Sequence, residues 1–338
     1  MTPSARIPTQ APDMASVKIG AEEVGRSARA GARRARSGYP PEGGRNGVSL
    51  FFQQILNGLT LGSVYSLVAL GLTLVYGILH IPNFSHGALF MAGAYAAFFA
   101  ATALSANYWL AMLFAVIVTA GIAVLSERLI FSRLRNNPPL HDMIAAIGLL
   151  LVIEAIAQAY WGADFHRLRE PYPGIWQWLR INAGLVMPIQ RGIIIAGAVL
   201  LMVALHLFLT RATTGATIVA MAQNREGASL VGIDLTRVSI ITFAISGGLA
   251  AVAAVLFAPI SLIFPAMGHF VITKAFVIII LGGMGSVPGA ILGGMVIGLV
   301  ESFGAFYIST DMKDIFAFLA LVLILSFRPE GLFPSYSR

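Results

Sequence analysis

The chain has 338 residues, of which 57% are hydrophobic and only 11% charged, and its formal net charge is +7. A soluble domain carries about a quarter charged residues, so this composition excludes an ordinary water-soluble domain and points to a chain whose solvent is the bilayer. No cysteine occurs, which excludes disulfides, thiolate metal sites and cysteine nucleophiles.

Residues 1–48 differ from everything that follows. They are rich in Pro, Gly, Ser and Ala with scattered arginines (Arg26, Arg29, Arg33, Arg34, Arg36, Arg45), and large apolar residues are nearly absent. Such a segment cannot build a core and is expected to be a disordered basic tail. It has no apolar stretch of a signal peptide, and Asp13, Glu22, Glu23 and Glu42 argue against a transit peptide.

Residues 49–334 read as one membrane domain. No Asp, Glu, Lys or Arg occurs from Phe51 to Ser126, from Gly192 to Thr210 or from Val238 to Thr273. A crossing needs roughly 20 mostly apolar residues, so the first of these runs alone suffices for three or four. The predicted segments are 50–79, 84–104, 107–130, 140–161, 190–210, 237–258, 270–283, 287–306 and 313–327. The expected fold is all-α: a polytopic transmembrane helical bundle of about 8–10 membrane segments, some short or broken. The two clearest breaks are "HIPNFSHGA" (His80–Ala88) and "LGGMGSVPGA" (Leu281–Ala290).

Loop charge sets orientation. Arg128, Arg133 and Arg135 place the loop after the third segment in the cytoplasm, and Arg211, Arg225, Arg237 and Arg328 agree with that assignment. The stretch 162–191, flanked by Trp161 and carrying Tyr172, Trp176 and Trp178, is then outside. If 50–79 forms two short helices the tail is inside, and if it forms one the tail is outside. The arginines of the tail favour inside. The basic balance is thus a matter of topology and anionic lipid headgroups, not of nucleic acid.

Few residues can carry chemistry at membrane depth. In "HIPNFSHG", Pro82 breaks the helix, and Asn83, Ser85 and His86 either line a translocation path at a discontinuous helix or cap and satisfy the break. A metal on His80 and His86 lacks a third ligand nearby, so no metal site and no cofactor is expected. Glu154 is an acid inside an apolar helix, which is costly and marks a candidate path residue. Glu301 lies near the end of its segment and is expected at the interface. Gly285, Gly289 and Gly293 recur every four residues, the spacing of a close helix–helix contact face.

The stretch "GATIVAMAQNREGASLVGID" (Gly215–Asp234) is a polar interruption between greasy blocks. Read as one helix, Ala216–Val231 has an apolar side of Ile218, Val219, Met221, Ala222, Leu230 and Val231, and a polar side of Gln223, Asn224 and Glu226. It is either a solvated connector on the headgroups or a docking element. Gly232 suits a tight exit turn, and Asp234 or Thr236 can cap the next helix.

Here a family resemblance enters. Glu226-Gly227-Ala228-Ser229-Leu230-Val231-Gly232 resembles the cytoplasmic loop of ABC importer permeases, with Glu and Gly six positions apart and Gly227 where that family usually has Ala. Asn57–Tyr95, Ala220–Leu256, Leu281–Gly294 and Phe327–Phe333 are similar to the branched-chain amino-acid permeases, the LivH/LivM type, and nearer LivH. Asn83, Phe84, His86 and Gly87 match the family motif, with Ser85 where Ala is common.

The resemblance implies a non-enzymatic permease subunit in the cell inner membrane, forming half of a pore for branched-chain amino acids or related small polar solutes. It implies three kinds of partner: a second, LivM-like permease, two ATP-binding subunits and a periplasmic solute-binding protein. It also implies that Gln223, Asn224, Arg225, Glu226, Gly227, Ala228 and Gly232 dock the ATPase. The chain has no P-loop of its own, so hydrolysis belongs to another chain. The alternatives are a urea or short-amide permease of the same kind and a stand-alone secondary transporter, which calls for paired intramembrane charges that Glu154 alone does not supply. An intramembrane enzyme is disfavoured because neither HExxH nor a Ser–His or paired-Asp constellation is visible.

Overall fold

The computed structural model describes residues 47–79, 83–134, 137–175 and 185–333. The tail up to residue 46, His80 and Pro82 in the first break, Arg135, Trp176 and Trp178 lie outside the described residues. Residues 48–338 form one compact unit, and the description that follows concerns that unit.

Among the described residues every regular element is helical, apart from two isolated bridges, His166 with Ile263 and Ile175 with Pro188. The membrane helices are α1 (Gly47–Leu79), α2 (Ser85–Ala103), α3 (Tyr108–Leu134, with a π-turn at Glu127–Phe131), α4 (Pro139–Trp161) and α5 (Ile189–Arg211). Two short helices follow, α6 (Thr213–Gln223) and α7 (Arg225–Leu230). Then come α8 (Leu235–Phe257), α9 (Met267–Gly282), α10 (Val287–Tyr307) and α11 (Lys313–Phe327). Seven of these are long and apolar enough to cross a membrane, while α9 and α11, of 16 and 15 residues, are shorter. The chain is a multi-pass all-α bundle with some short segments, as its hydropathy implies.

Local chemistry explains the boundaries. Asn107 accepts from Leu110 N at 2.9 Å to start α3, and Ser286 accepts from Gly289 N at 3.1 Å to start α10. Pro139 and Pro288 occupy first-turn positions, where a missing N–H costs nothing.

Residues 50–79 are not two short helices. With no proline or charge to stop it, α1 runs unbroken for 33 residues, about 50 Å at the helical rise and longer than the hydrocarbon layer. The Gln53 side chain exchanges two hydrogen bonds with Val186, both 3.0 Å, just before α5. The start of α1 therefore lies at the end of the bundle opposite Arg211, the outer end by the loop-charge rule. This corrects the expectation of a cytoplasmic start: residues 50–79 form one helix where a cytoplasmic start needs two.

The break after α1 is a re-entrant one. His86, in the first turn of α2, meets Val68 and Gly71, which stand 11 and 8 residues, about 16 and 12 Å, before the end of α1. So α2 begins at membrane depth. The first turn of α9 does the same, because Gly268 abuts Gly87 backbone to backbone.

Packing relies on small residues, since lipid offers no hydrophobic drive between helices. On α10, Gly289 and Gly293 pack against Gly282 and Ile278 of α9, while Gly294 and Gly298 pack against Ser66 and Gly62 of α1. Gly285 is not part of this face. Its φ is +82° with open space around it, so it is a turn residue and not a contact.

Candidate functional site

The polar stretch at the cytoplasmic end is two helices instead of one. Asn224 leaves the helical region (φ −152°, ψ 103°), and its side chain accepts from Gly227 N at 2.8 Å, capping α7. A Cβ at Gly227 would lie 3.2–3.4 Å from the Asn224 carboxamide, so the glycine leaves room for the cap. At the other end of α7, Ile233 N bonds Ala228 O and Gly232 N bonds Ser229 O, both 3.1 Å, with Gly232 at φ +86°. This is a Schellman closure, which needs a residue that tolerates positive φ. Asp234 then caps α8 through Thr236 N and Arg237 N, both 3.0 Å.

The sequence-predicted apolar side divides accordingly. Ile218 and Met221 are buried, and Ala222 meets Gly77 near the end of α1, 3.4 Å from where a Cβ would stand. Leu230 and Val231, however, are 87% and 78% exposed, because the kink at Asn224 turns them outward. Gln223 and Glu226 are exposed beside them, Arg225 is half-buried and Ala228 is buried beneath. The stretch thus presents an apolar tip flanked by charge, held by a cap at each end.

At the first break, Asn83 Oδ1 accepts from Ser85 N at 3.1 Å and Ser85 Oγ at 2.6 Å. His86 is fully buried. Its Nε2 faces Val68 O at 3.1 Å, and its Nδ1 lies 3.3 Å from Ser246 Oγ. Ser246 in turn donates to Gly71 O at 2.8 Å. A carbonyl only accepts, so Nε2 carries the proton. The Ser246–His86 pair was not visible in the sequence, where the partners are 160 residues apart. It is sealed between α1, α2 and α8, and the serine proton is committed to Gly71, which suits stitching of the broken helix. Asn83 Oδ1, Ser85 and His86 Nε2 thus have their bonds within the protein, while the buried Asn83 Nδ2 has no partner among the described residues.

Glu154 bonds His269 Nε2 of α9 at 2.6 Å, so the acid has an intramolecular partner. A second cluster lies beside it. Lys274 of α9 pairs with Glu301 of α10 and with Asp314 of α11, the latter at 2.8 Å, while Tyr65 of α1 donates to Glu301 Oε2 at 2.8 Å. Glu301, expected near the end of its segment, is buried inside the bundle. It is only 2% exposed and lies about 21 Å along α10, because the α9–α10 contacts set a register that brings Lys274 within one turn of it. A lone Lys274 in an otherwise uncharged run was the signal that a counter-ion must face it. Charges therefore do pair at membrane depth, and their absence cannot be used against a stand-alone transporter. Among the described residues no cluster of three or more His, Asp or Glu could hold a metal ion.

Comparison with known proteins decides the family. Residues 54–325 match the model of the branched-chain amino acid transport system permease component. The high-affinity branched-chain amino acid transport system permease protein BraD of Pseudomonas aeruginosa is 36% identical over 292 residues, covering 83% of this chain and 95% of the relative. The corresponding LivH proteins of Salmonella typhimurium and Escherichia coli are 34% identical over 294 residues, with the same coverage. The chain belongs to the branched-chain amino acid transport permease family.

Proposed function

We propose that this family member is a permease subunit of an ATP-driven importer of branched-chain amino acids in the cell inner membrane, and that it forms half of the translocation pore. Its partners in this reading are a second, LivM-like permease, two ATP-binding subunits on the cytoplasmic side and a periplasmic solute-binding protein. The observation that carries the reading, beyond family membership, is the α6–α7 unit. Two caps fix its shape, and it exposes Leu230 and Val231 beside Glu226 on the end of the bundle that carries the arginines. Large exposed apolar side chains in a charged setting are the signature of a protein contact, not of a solvated connector.

Mechanically, the unit can pass ATPase closure to the membrane helices. It is joined directly to α5 and α8 and touches α1 through Ala222 and Gly77. A rigid-body shift of α6–α7 therefore moves three membrane helices at once. Gln223, Arg225 and Glu226 supply the polar rim, while Asn224, Gly227, Ala228 and Gly232 hold its shape.

The test is copurification and uptake. A tagged chain brings down a second permease and ATPases, and the reconstituted assembly imports leucine only with ATP and a binding protein. Glu226→Lys inserts normally but abolishes uptake. Leucine transport by the chain alone without ATP, or full uptake by Glu226→Lys, refutes the reading.

A further inference from the structure

The ionisable groups at membrane depth converge on one groove. His269, Thr273, Lys274 and Val277 lie along one face of α9, and Asp314 and Phe318 face them from α11 across a cavity of about 280 Å³. Phe270 and Ala317 complete an otherwise apolar lining. Two members of the set are strongly exposed: the side chains of Asp314 and His269 are 47% and 48% accessible, whereas Lys274 is 12% and Glu301 2%.

Lipid is the wrong neighbour for such a face. Ionisable residues within the hydrocarbon region turn toward protein or a water-filled cavity. The charge balance then favours one kind of visitor. Lys274 is a single cation set against Glu301 and Asp314, so the cluster carries one net negative charge. Glu301 is spoken for, with Lys274 on one oxygen and the Tyr65 hydroxyl on the other. Asp314 is half-open and keeps acceptor capacity toward the cavity. A carboxylate at the mouth and Phe270, Val277 and Phe318 along the wall match an ammonium group carried on an apolar skeleton.

We propose that this α9–α11 groove is a wall of the translocation path and that Asp314 receives the α-ammonium group of the passing amino acid, whose side chain rests on the apolar lining. The proposal rests on the reading of the chain as a permease for apolar amino acids. Lys274 and Glu301 act as positioning residues that fix the Asp314 carboxylate. Glu154 joins the same face through His269.

The absence of cysteine makes the test direct, since Thr273→Cys gives this subunit a single thiol. Thr273 donates only to His269 O within its own helix, so the exchange is mild, and Phe318→Cys serves as a second reporter. The assembled complex in nanodiscs is treated with a charged, membrane-impermeant methanethiosulfonate, and labelling of this subunit is read by intact mass. Labelling is expected. L-leucine and L-leucine amide, which keep the ammonium, slow it about tenfold at about ten times their dissociation constants. N-acetyl-L-leucine has no effect. In an Asp314→Asn background the thiol still reacts and leucine no longer protects. Thiols inert at both positions in the assembled complex, as expected of a face sealed by the second permease or by lipid, overturn the proposal. So does equal protection by N-acetyl-L-leucine. Leucine uptake by the unmodified complex reads the underlying assignment separately: uptake without protection overturns the groove and leaves that assignment standing.

Discussion

Replacing Lys274 by Met isolates the worth of the buried network. The side chains have similar length, so packing against α10 and α11 is kept while the ammonium is lost. Glu301, 2% exposed, then retains only the Tyr65 hydroxyl as partner. Removing one member of a buried ion pair costs about 3–5 kcal/mol, because the other charge stays buried without compensation. The double variant Lys274→Met/Glu301→Gln removes that charge, and its amide oxygen still accepts from Tyr65. It recovers about 2–3 kcal/mol, a coupling typical of residues in direct contact. Asp314→Asn behaves differently: its side chain is 47% exposed, so the pair is partly screened and the loss is about 0–1 kcal/mol. The assay compares the melting midpoints of the four assembled complexes in one detergent, read by size exclusion of heated aliquots. The expected order is native and Asp314→Asn highest, the double variant next, and Lys274→Met lowest. A double variant no more stable than Lys274→Met refutes the reasoning, since the penalty would then not come from a stranded carboxylate.

The remaining predictions concern shape. Asn224→Ala removes the α7 cap and lowers the stability of that turn by about 1 kcal/mol, measured as faster amide exchange over 225–230 with the membrane helices unaffected. Leu230→Ser with Val231→Ser leaves the melting midpoint unchanged, because both side chains are already exposed, yet weakens ATPase recovery in copurification at least tenfold, about 1.4 kcal/mol. Gly298→Leu forces α10 off α1, where Gly62 leaves no room for a side chain, and is expected to cost about 1–3 kcal/mol or more by overpacking, seen as lost assembly.

The sequence made the bundle legible because uncharged runs of the right length have few alternatives in a bilayer. Loop arginines gave the sidedness of the later helices. The sidedness of α1 escaped them, because it depends on whether residues 50–79 break once in the middle, and the tail arginines outweighed the lack of any proline or charge in that run. The caps were partly readable: Gly232 and Asp234 were chosen by residue type and hold those places, and Asn83, one of two candidates at the first break, accepts from Ser85 N just ahead of α2. Asn224 was not, because a capping residue inside an amphipathic pattern looks like a polar-face residue until the backbone is seen to leave the helix. That one kink also explains why Leu230 and Val231 point outward. The charged groove was legible only in halves. Glu154 and Glu301 stood out as acids in apolar segments, but His269, Lys274 and Asp314 join them through contacts between helices 27 to 115 residues apart in sequence.

The position of α1 connects the two regions. Its inner end meets Ala222 of the coupling unit at Gly77, and its middle holds His86 through Val68. One turn outward from Val68 it carries Tyr65, which is bonded to Glu301. From Gly77 to Tyr65 is 12 helical residues, about 18 Å of unbroken backbone hydrogen bonds with no proline to bend it. On both flanks α1 is packed closely, by Gly62 and Ser66 against the backbone of α10 and by Gly71 against the buried His86 ring and the Ser246 carbonyl. Such contacts leave little slack, because the side chains between them are short or, like His86, buried and hydrogen-bonded. A shift imposed on Ala222 therefore reaches the Tyr65 hydroxyl without an intermediate joint. Moving that hydroxyl alters the seat of Glu301, and with it the position of Lys274 and Asp314 in the groove. In the proposed reading, the helix that touches the α6–α7 unit is also the one bonded to Glu301 of the groove.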